Sequence, residues 1–350
     1  MEKLVLIDGH SILNRAFYGV PGLTNSEGLH TNAVYGFLNI LFKLLEEEKP
    51  GYLAVAFDLK APTFRHTMYD AYKGTRKPMP EELHEQVPLM KEVLTAMGIP
   101  IFTREGYEAD DILGTVAKKA QAAGMEVTVV SGDRDLLQLS DAHIKISIPK
   151  TSRGTTEVHT YYPEDVKREY QVTPEQFIDV KALMGDTSDN IPGVPSIGEK
   201  TATNLILQFG SMGGVYEHLS EVKPPRAKKS LEEHRDLAEL SYKLAKICID
   251  APVEFSPEDA RIGDLYTKEA YEYMSRLEFK SLLARFGDHV KKEAAATLGF
   301  HAVTDLAVAE ALFQKAMGSE RTGAVLLAEG PEISGAALCL DGQNAYLIQK

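Results

Sequence analysis

The chain predicts an α/β fold: a mostly parallel sheet flanked by helices, followed by a helical module. Three observations carry this. Short apolar runs alternate with amphipathic helical patterns up to residue 160. The runs 4–7, 53–57 and 127–130 lead into Asp8, Asp58 and the pair Asp133 and Asp135. From Tyr161 onward the pattern is helical. Open α/β sheets bind ligands beyond the carboxyl ends of their strands. Asp8, Asp58 and Asp133 are therefore expected on one edge.

Two further acidic clusters join them. Gly106-Tyr107-Glu108-Ala109-Asp110-Asp111 opens an apolar helical pattern, and Gly185-Asp186-Thr187-Ser188-Asp189-Asn190 follows a later helix. Acids at a helix start complement its dipole, which accounts for one or two of them. It does not account for Asp8, Asp58, Glu108, Asp110, Asp111, Asp133, Asp135, Asp186 and Asp189 together. So many carboxylates cannot share a site ionised without cations. Oxygen-only ligands suit Mg²⁺ or Mn²⁺, and two such ions can clamp a phosphodiester.

Composition bounds the rest. A chain of 350 residues, 44% hydrophobic, predicts two or three domains with ample core. A net charge of −13 argues against a uniformly basic nucleic-acid surface. The acids named above make up most of that charge, so local basic stretches matter more: Lys60, Arg65, Lys73, Arg76 and Lys77, then Lys223, Arg226, Lys228 and Lys229. Such runs are commonly solvated faces; the first is singled out because it follows Asp58. No stretch reads as a signal peptide or a membrane span. Cys248 and Cys339 fit no metal motif, which predicts a reducing, cytoplasmic setting.

In chain order, a helix is expected over 11–18, with Arg15 near the acid edge, and another over 33–47 with Thr31 as its cap. Residues 60–80 are basic and aromatic, either a surface flap or a gate over the acid edge that grips phosphates. Helices are expected over 81–97 and 108–123. A strand through Ile144, Ile146 and Ile148 is expected to stop at Pro149, with a hairpin tip at 151–156. Thr173-Pro174-Glu175-Gln176 starts a helix, with Thr173 as N-cap and Gln176 at N3. Gly193 to Ala202 enters another helix, and such an entry offers free N–H groups to a phosphate; an ordinary helix–turn–helix connection explains it equally well. Helices over 231–247 and 267–286 follow. In 301–350 one helix and three strands are expected, too few to close a covered sheet.

Lys73 and Arg76 are candidates to bind non-bridging phosphate oxygens. Tyr72 is a candidate platform for an unpaired base, or it simply packs.

The ordered motifs Leu6-Ile7-Asp8-Gly9, Phe57-Asp58, Phe64-Arg65, Tyr72-Lys73-Gly74, Tyr107-Glu108-Ala109-Asp110-Asp111, Gly132-Asp133-Arg134-Asp135, the stretch Gly185-Asp186-Thr187-Ser188-Asp189-Asn190-Ile191-Pro192-Gly193 and Gly198-Glu199-Lys200-Thr201-Ala202 resemble the flap-endonuclease (5′ nuclease) family over residues 3–290. The similarity is greatest to the amino-terminal nuclease regions of bacterial DNA polymerases. It implies a PIN-like core (1–172) with a helical arch (60–97), a helix–three-turn–helix DNA-binding domain (173–290), a linker (291–300) and an incomplete start of a ribonuclease H-like 3′–5′ exonuclease domain (301–350). It implies removal of 5′ flaps and RNA primers from duplex DNA by a monomer using two Mg²⁺ or Mn²⁺ ions. Asp8, Asp58, Glu108 and Asp110 would serve the first ion. Asp133, Asp135, Asp186 and Asp189 would serve the second, with Asp111 nearby in a catalytic role. Lys73 and Arg76 would act from the arch. Arg65, Tyr72, Gly193, Val194, Ser196, Gly198, Lys200 and Thr201 would join Lys73 and Arg76 in binding DNA, with K⁺ held by carbonyls of the 193–201 turn.

The tail departs from an active exonuclease: Leu327-Ala328-Glu329 has the glutamate but not the aspartate of an Asp-x-Glu strand. Either the sequence is a fragment of a longer polymerase, or it is a free-standing nuclease with a vestigial tail. The rival readings weigh less. A PIN-type ribonuclease usually lacks the duplex-binding module, a phosphotransfer domain needs an isolated nucleophilic Asp, often in an Asp-x-Asp-x-Thr run that is not found here, and a non-catalytic DNA-binding module has no use for the acids.

Overall fold

The computed structural model describes all residues except 1, 153–154, 288–289, 291–298, 320, 330–331, 341–343 and 350. It divides into two compact units, Met1–Leu265 and Tyr266–Lys350. That division falls inside the module expected at 173–290.

The first unit is built on six strands: β1 (Lys3–Asp8), β2 (Tyr52–Ala56), β3 (Ile101–Phe102), β4 (Glu126–Val130), β5 (Ile144–Ser152) and β6 (Thr155–Tyr161). They lie in the order β3-β2-β1-β4-β5-β6, all neighbours parallel except β5 and β6. β1 and β2 are buried nearly end to end, as parallel strands covered on both faces must be. Their apolar runs therefore lack alternation, and they finish together on one edge. The covering helices are α1 (Gly9–Gly19), α2 (Asn32–Glu48), α3 (Phe64–Met68), α4 (Glu81–His84), α5 (Gln86–Ala96) and α6 (Ala109–Ala122). After the sheet come α7 (Pro163–Tyr170), α8 (Pro174–Met184), α9 (Glu199–Phe209), α10 (Met212–Glu217), α11 (Pro225–Glu233) and α12 (Arg235–Ala245). One apolar core joins the two regions, running from Leu6 and Val129 through Leu183 and Ile206 to Leu231.

Local expectations meet the structure unevenly. At the start of α8, Thr173 and Gln176 exchange the hydrogen bonds of a capping box. Thr31 makes no side-chain cap on α2; instead Gln86 Oε1 accepts from the N–H groups of Ala33 and Val34. β5 runs past Pro149, which faces Val158 of β6 where β4 has already ended, so no donor is needed on the other side. The helix expected over 231–247 is two helices broken at His234, and the one over 267–286 is broken before Phe279, with Glu278 left-handed at φ 61°.

The second unit holds α13 (Lys268–Arg276), α14 (Lys280–Leu283), β7 (Gly299–Val303), α15 (Leu306–Met317), β8 (Gly323–Glu329), β9 (Glu332–Cys339) and β10 (Asn344–Gln349). Its sheet runs β7-β10-β9-β8. Four strands form where three were expected. β7 lies parallel to β10, and a partner more than forty residues away leaves no local turn signal. Residues 299–300 of the expected linker belong to β7; the rest, 291–298, lie outside the described residues.

Candidate active site

The carboxyl ends of β1, β2 and β4 bring acids to one cavity of about 1370 Å³. Asp8 ends β1 and caps α1, accepting from the Ser11 N–H at 3.0 Å and the Ser131 hydroxyl at 2.8 Å. Asp58 follows β2 and accepts from the Ala109 N–H at 2.8 Å, while its own N–H donates to His10 Nδ1. Glu108 caps α6, and Asp110 stands in its first turn. Asp133 accepts from the Asp135 N–H at 2.9 Å. A second cavity, of about 500 Å³, shares Asp133 and is lined by Asp135, Lys181 and Asp186. Asp186 accepts from both the N–H and the hydroxyl of Ser188. Asp189 receives the Tyr72 hydroxyl and the Arg76 guanidinium.

Charge is distributed unevenly over these acids. Burial, then repulsion from Asp58, pushes Asp8 up to about 7. Burial, then Asp8 and Asp133, raises Asp110 well above the carboxylate range. Burial also opposes ionisation of Asp58, but bonds from His10 and Ala109 outweigh it and hold it at about 2. Burial and then Asp133 raise Asp135 to about 7. Among the described residues, Asp8 and Asp110 have no ion pair, whereas Glu108 and Asp189 are engaged by Lys73 and Arg76, and Asp135 and Asp186 by Lys181. Among the described residues no three acid, His or Cys side chains converge at ligating distance. Lys73, Arg76 and Lys181 stand among Glu108, Asp189, Asp135 and Asp186. The donors are oxygen throughout, and mutually repelling carboxylates are what a divalent ion would relieve, so the residues fit Mg²⁺ or Mn²⁺.

The raised acids set an expected pH response. In the fold Asp8 and Asp135 titrate near 7, against about 4 when unfolded. Between those values the folded chain holds more protons, so stability falls as pH rises, by up to about 1.4 kcal/mol per unit per group. In EDTA the protein is expected to melt lower at pH 8 than at pH 5, with the difference shrinking in Mg²⁺. Melts that are flat or rise with pH would count against this charge distribution.

Residues 60–80 lie down on the site. Tyr72 is 3% exposed, its hydroxyl held by Glu108 and Asp189 and its ring packed with Ile191 and Leu244. It packs and offers no platform for a base. Arg65 is buried, and all five of its N–H groups are engaged by Asp111, Glu108 and the carbonyls of Leu244 and Lys246, which excludes a DNA contact. Asp111 is fully buried and accepts from Arg65, Glu108 N–H and Cys248 N–H, so its place is structural, not catalytic. Lys73 reaches Glu108 at 2.7 Å and lines the larger cavity with Arg76.

The turn before α9 also divides. Val194 is in the core and its N–H bonds Leu183, so its side chain does not meet DNA. Gly193 is buried too: at φ 63° it packs on Gly185, where a Cβ would meet backbone at 2.3 Å. Its N–H goes to Ser241. Ser196, Gly198 and Lys200 are exposed and Thr201 is half-buried. Arg226 donates to Ser196 Oγ, while Lys228 and Lys229 make i,i+4 pairs on a solvated face.

Two lysines were not singled out in the sequence. Lys181 sits between two site acids, and only its place on α8, five residues before Asp186, hinted at it. Lys91 lies over the Phe57 ring at 4.8 Å. With Arg15 and Lys60 it lines the larger cavity; among the described residues none of the three is within ion-pair distance of a carboxylate, though Asp58 attracts Lys91. Arg15 Nε is buried without a hydrogen-bond partner. Tyr18, 69% exposed, also lines the cavity.

A parallel sheet with an acid-lined cleft at its carboxyl edge and a helical module beyond it is the build of a 5′ nuclease. Residues 3–171 match the family model of the 5′-3′ exonuclease N-terminal resolvase-like domain, and 172–268 match that of the 5′-3′ exonuclease C-terminal SAM fold. The chain belongs to the 5′-3′ exonuclease family. It is 49% identical over 284 residues to DNA polymerase I of Bacillus caldotenax, covering 81% of this chain and 32% of that one. It is 48% identical over 287 residues to DNA polymerase I of Bacillus subtilis, covering 82% and 32%. The chain thus spans about a third of the length of the curated relatives it matches. Among solved structures, the T5 5′-exonuclease with bound zinc superposes with TM-score 0.59 at 22% identity, over 84% of this chain and all of that one. The Rad2 catalytic core with DNA substrate gives 0.53 at 14%, over 81% and 91%. Both share the fold. No helix among the described residues is long and apolar enough to cross a membrane.

Proposed function

We propose that this chain is a metal-dependent 5′–3′ exonuclease and structure-specific 5′-flap endonuclease acting on DNA, working as the amino-terminal part of a cytoplasmic DNA polymerase I in primer and flap removal. One observation carries the reading. Asp8 and Asp110, repelling and without ion pairs among the described residues, share a cavity with Arg15, Lys60 and Lys91, cations within ion-pair distance of no carboxylate among those residues. Such a cleft suits a phosphodiester held between divalent ions and basic side chains.

Asp8, Asp58, Glu108 and Asp110 would hold one Mg²⁺ or Mn²⁺ ion, and Asp133, Asp135, Asp186 and Asp189 the other. Bound, the ions would supply an ionised water and stabilise charge on phosphate oxygens. Lys73 and Arg76, released from Glu108 and Asp189, would bind non-bridging oxygens, and Tyr18 would stack on an unpaired base. The 60–97 segment would form the arch and 173–245 the helix–three-turn–helix grip, with carbonyls of the 193–201 turn open to K⁺. The 301–350 tail would be an incomplete, inactive 3′–5′ exonuclease-like domain. Nicked, 5′-flapped and RNA-primed duplexes are the expected partners of a monomer. Incubation with a 5′-flapped duplex tests the reading: cleavage at the junction with Mg²⁺ and none in EDTA is expected, and metal-independent or absent cleavage would overturn it.

Gly198 gives a separate test of duplex binding. It is exposed, caps α9, and a Cβ there would meet nothing within 4 Å. Gly198→Val is therefore expected to fold normally and bind metal normally. A side chain at the closest approach to a phosphate would weaken duplex binding and lower its salt slope by about one. Unchanged affinity for flapped duplex would favour an ordinary helix–turn–helix connection.

A further inference from the structure

We infer that the Lys181 ammonium is the resident counter-ion of the second acid cluster, and that a divalent ion binds there only by displacing it. The inference rests on the two-ion reading above and assigns a positioning role to a residue outside the carboxylate set. Lys181 comes from α8, is 8% exposed, and bonds both Asp135 and Asp186 Oδ2. Both line the smaller cavity, with Asp133. Asp186 Oδ1 is already occupied by the N–H and hydroxyl of Ser188, at 2.7 and 2.6 Å. Its remaining oxygen is the one the ammonium takes.

The first cluster differs. Asp8 and Asp110 have no ion pair among the described residues, and Lys73, whose charge acts on Asp110, bonds Glu108 instead. A divalent ion entering the first cluster relieves repulsion and meets resident cations only at Glu108, which Lys73 and Arg65 hold; it displaces nothing from Asp8 or Asp110. An ion entering the second cluster must compete with a buried positive charge held by two carboxylates. The two sites therefore fill in order, the second weakly. The ammonium also offsets one negative charge of the second cluster in the meantime.

Mn²⁺ binding measured by calorimetry on the full chain tests this without using activity. The wild type is expected to show one tighter and one weaker site. Lys181→Met keeps the length of the side chain and removes the charge. It is expected to tighten the weaker site by on the order of tenfold or more, since a unit charge a few ångströms away opposes a divalent ion strongly. The tighter site is expected to stay unchanged. Lys181→Arg, which retains the charge, is expected to leave the second site weak. A second measurement uses only the wild type: acylation of Lys181, followed by mass spectrometry, is expected to speed up when Mn²⁺ saturates the second site. Two sites with the weaker one unaltered in Lys181→Met, or acylation of Lys181 unaffected by Mn²⁺, would overturn the inference and leave the two-ion reading standing. One site or none in every variant would overturn both.

Discussion

Arg65→Ala is expected to destabilise the fold by about 3–5 kcal/mol, the scale for removing one partner of a buried ion pair. Arg65 is 2% exposed and Asp111 is fully buried. The guanidinium meets both Asp111 oxygens, at 2.7 and 2.8 Å, in a forked arrangement. Without it, Asp111 keeps only the N–H groups of Glu108 and Cys248. The loss reaches further, because the same guanidinium bonds the carbonyls of Leu244 and Lys246. It thereby ties the 60–80 segment to the end of α12. Urea unfolding measures the change, and a loss below about 1 kcal/mol would refute the assignment. The double variant Arg65→Met with Asp111→Leu is expected to recover part of the loss, since no charge is then left buried alone.

Asp110→Asn is expected to lower flap cleavage by about 10³ or more, the scale of losing metal-borne stabilisation. Asp110 is raised first by burial and then by Asp8 and Asp133, so its charge works against its neighbours until a cation enters. The neutral amide removes that repulsion. The variant is therefore expected to melt higher than the wild type in EDTA at pH 8, and to gain less from added Mg²⁺. Opposite signs for activity and metal-free stability separate a site carboxylate from a structural one. Cleavage at the wild-type rate, or a lower melting point in EDTA, would remove Asp110 from the metal set.

The same acid type plays both parts at adjacent positions. Asp111, one position after Asp110, points back to cap α6 and pairs with Arg65. In the sequence the two are indistinguishable, since both stand in the first turn of an acid-headed helix. Their difference arises because successive helix positions project about 100° apart, one toward the cavity and the other toward the core. Tyr72 and Val194 were misjudged for a related reason: a motif gives spacing, and burial depends on what packs against it from elsewhere in the chain.

The strand-end aspartates, the acid-headed helix, the Thr173 cap and the alternation of strand and helix up to residue 160 were written in the sequence. They depend on periodicity, capping and chain direction, which are local. Residues 299–303 became a strand only through β10, and α2 took its cap from Gln86, because these partners are distant in sequence. Which acids stand without a counter-ion, and which are neutralised by Arg65, Arg76 or Lys181, was decided by tertiary structure alone. Electrostatic partnership depends on distance and desolvation in three dimensions. The nearest charge to Asp135 is a lysine 46 residues away, and no spacing rule along the chain reaches that far.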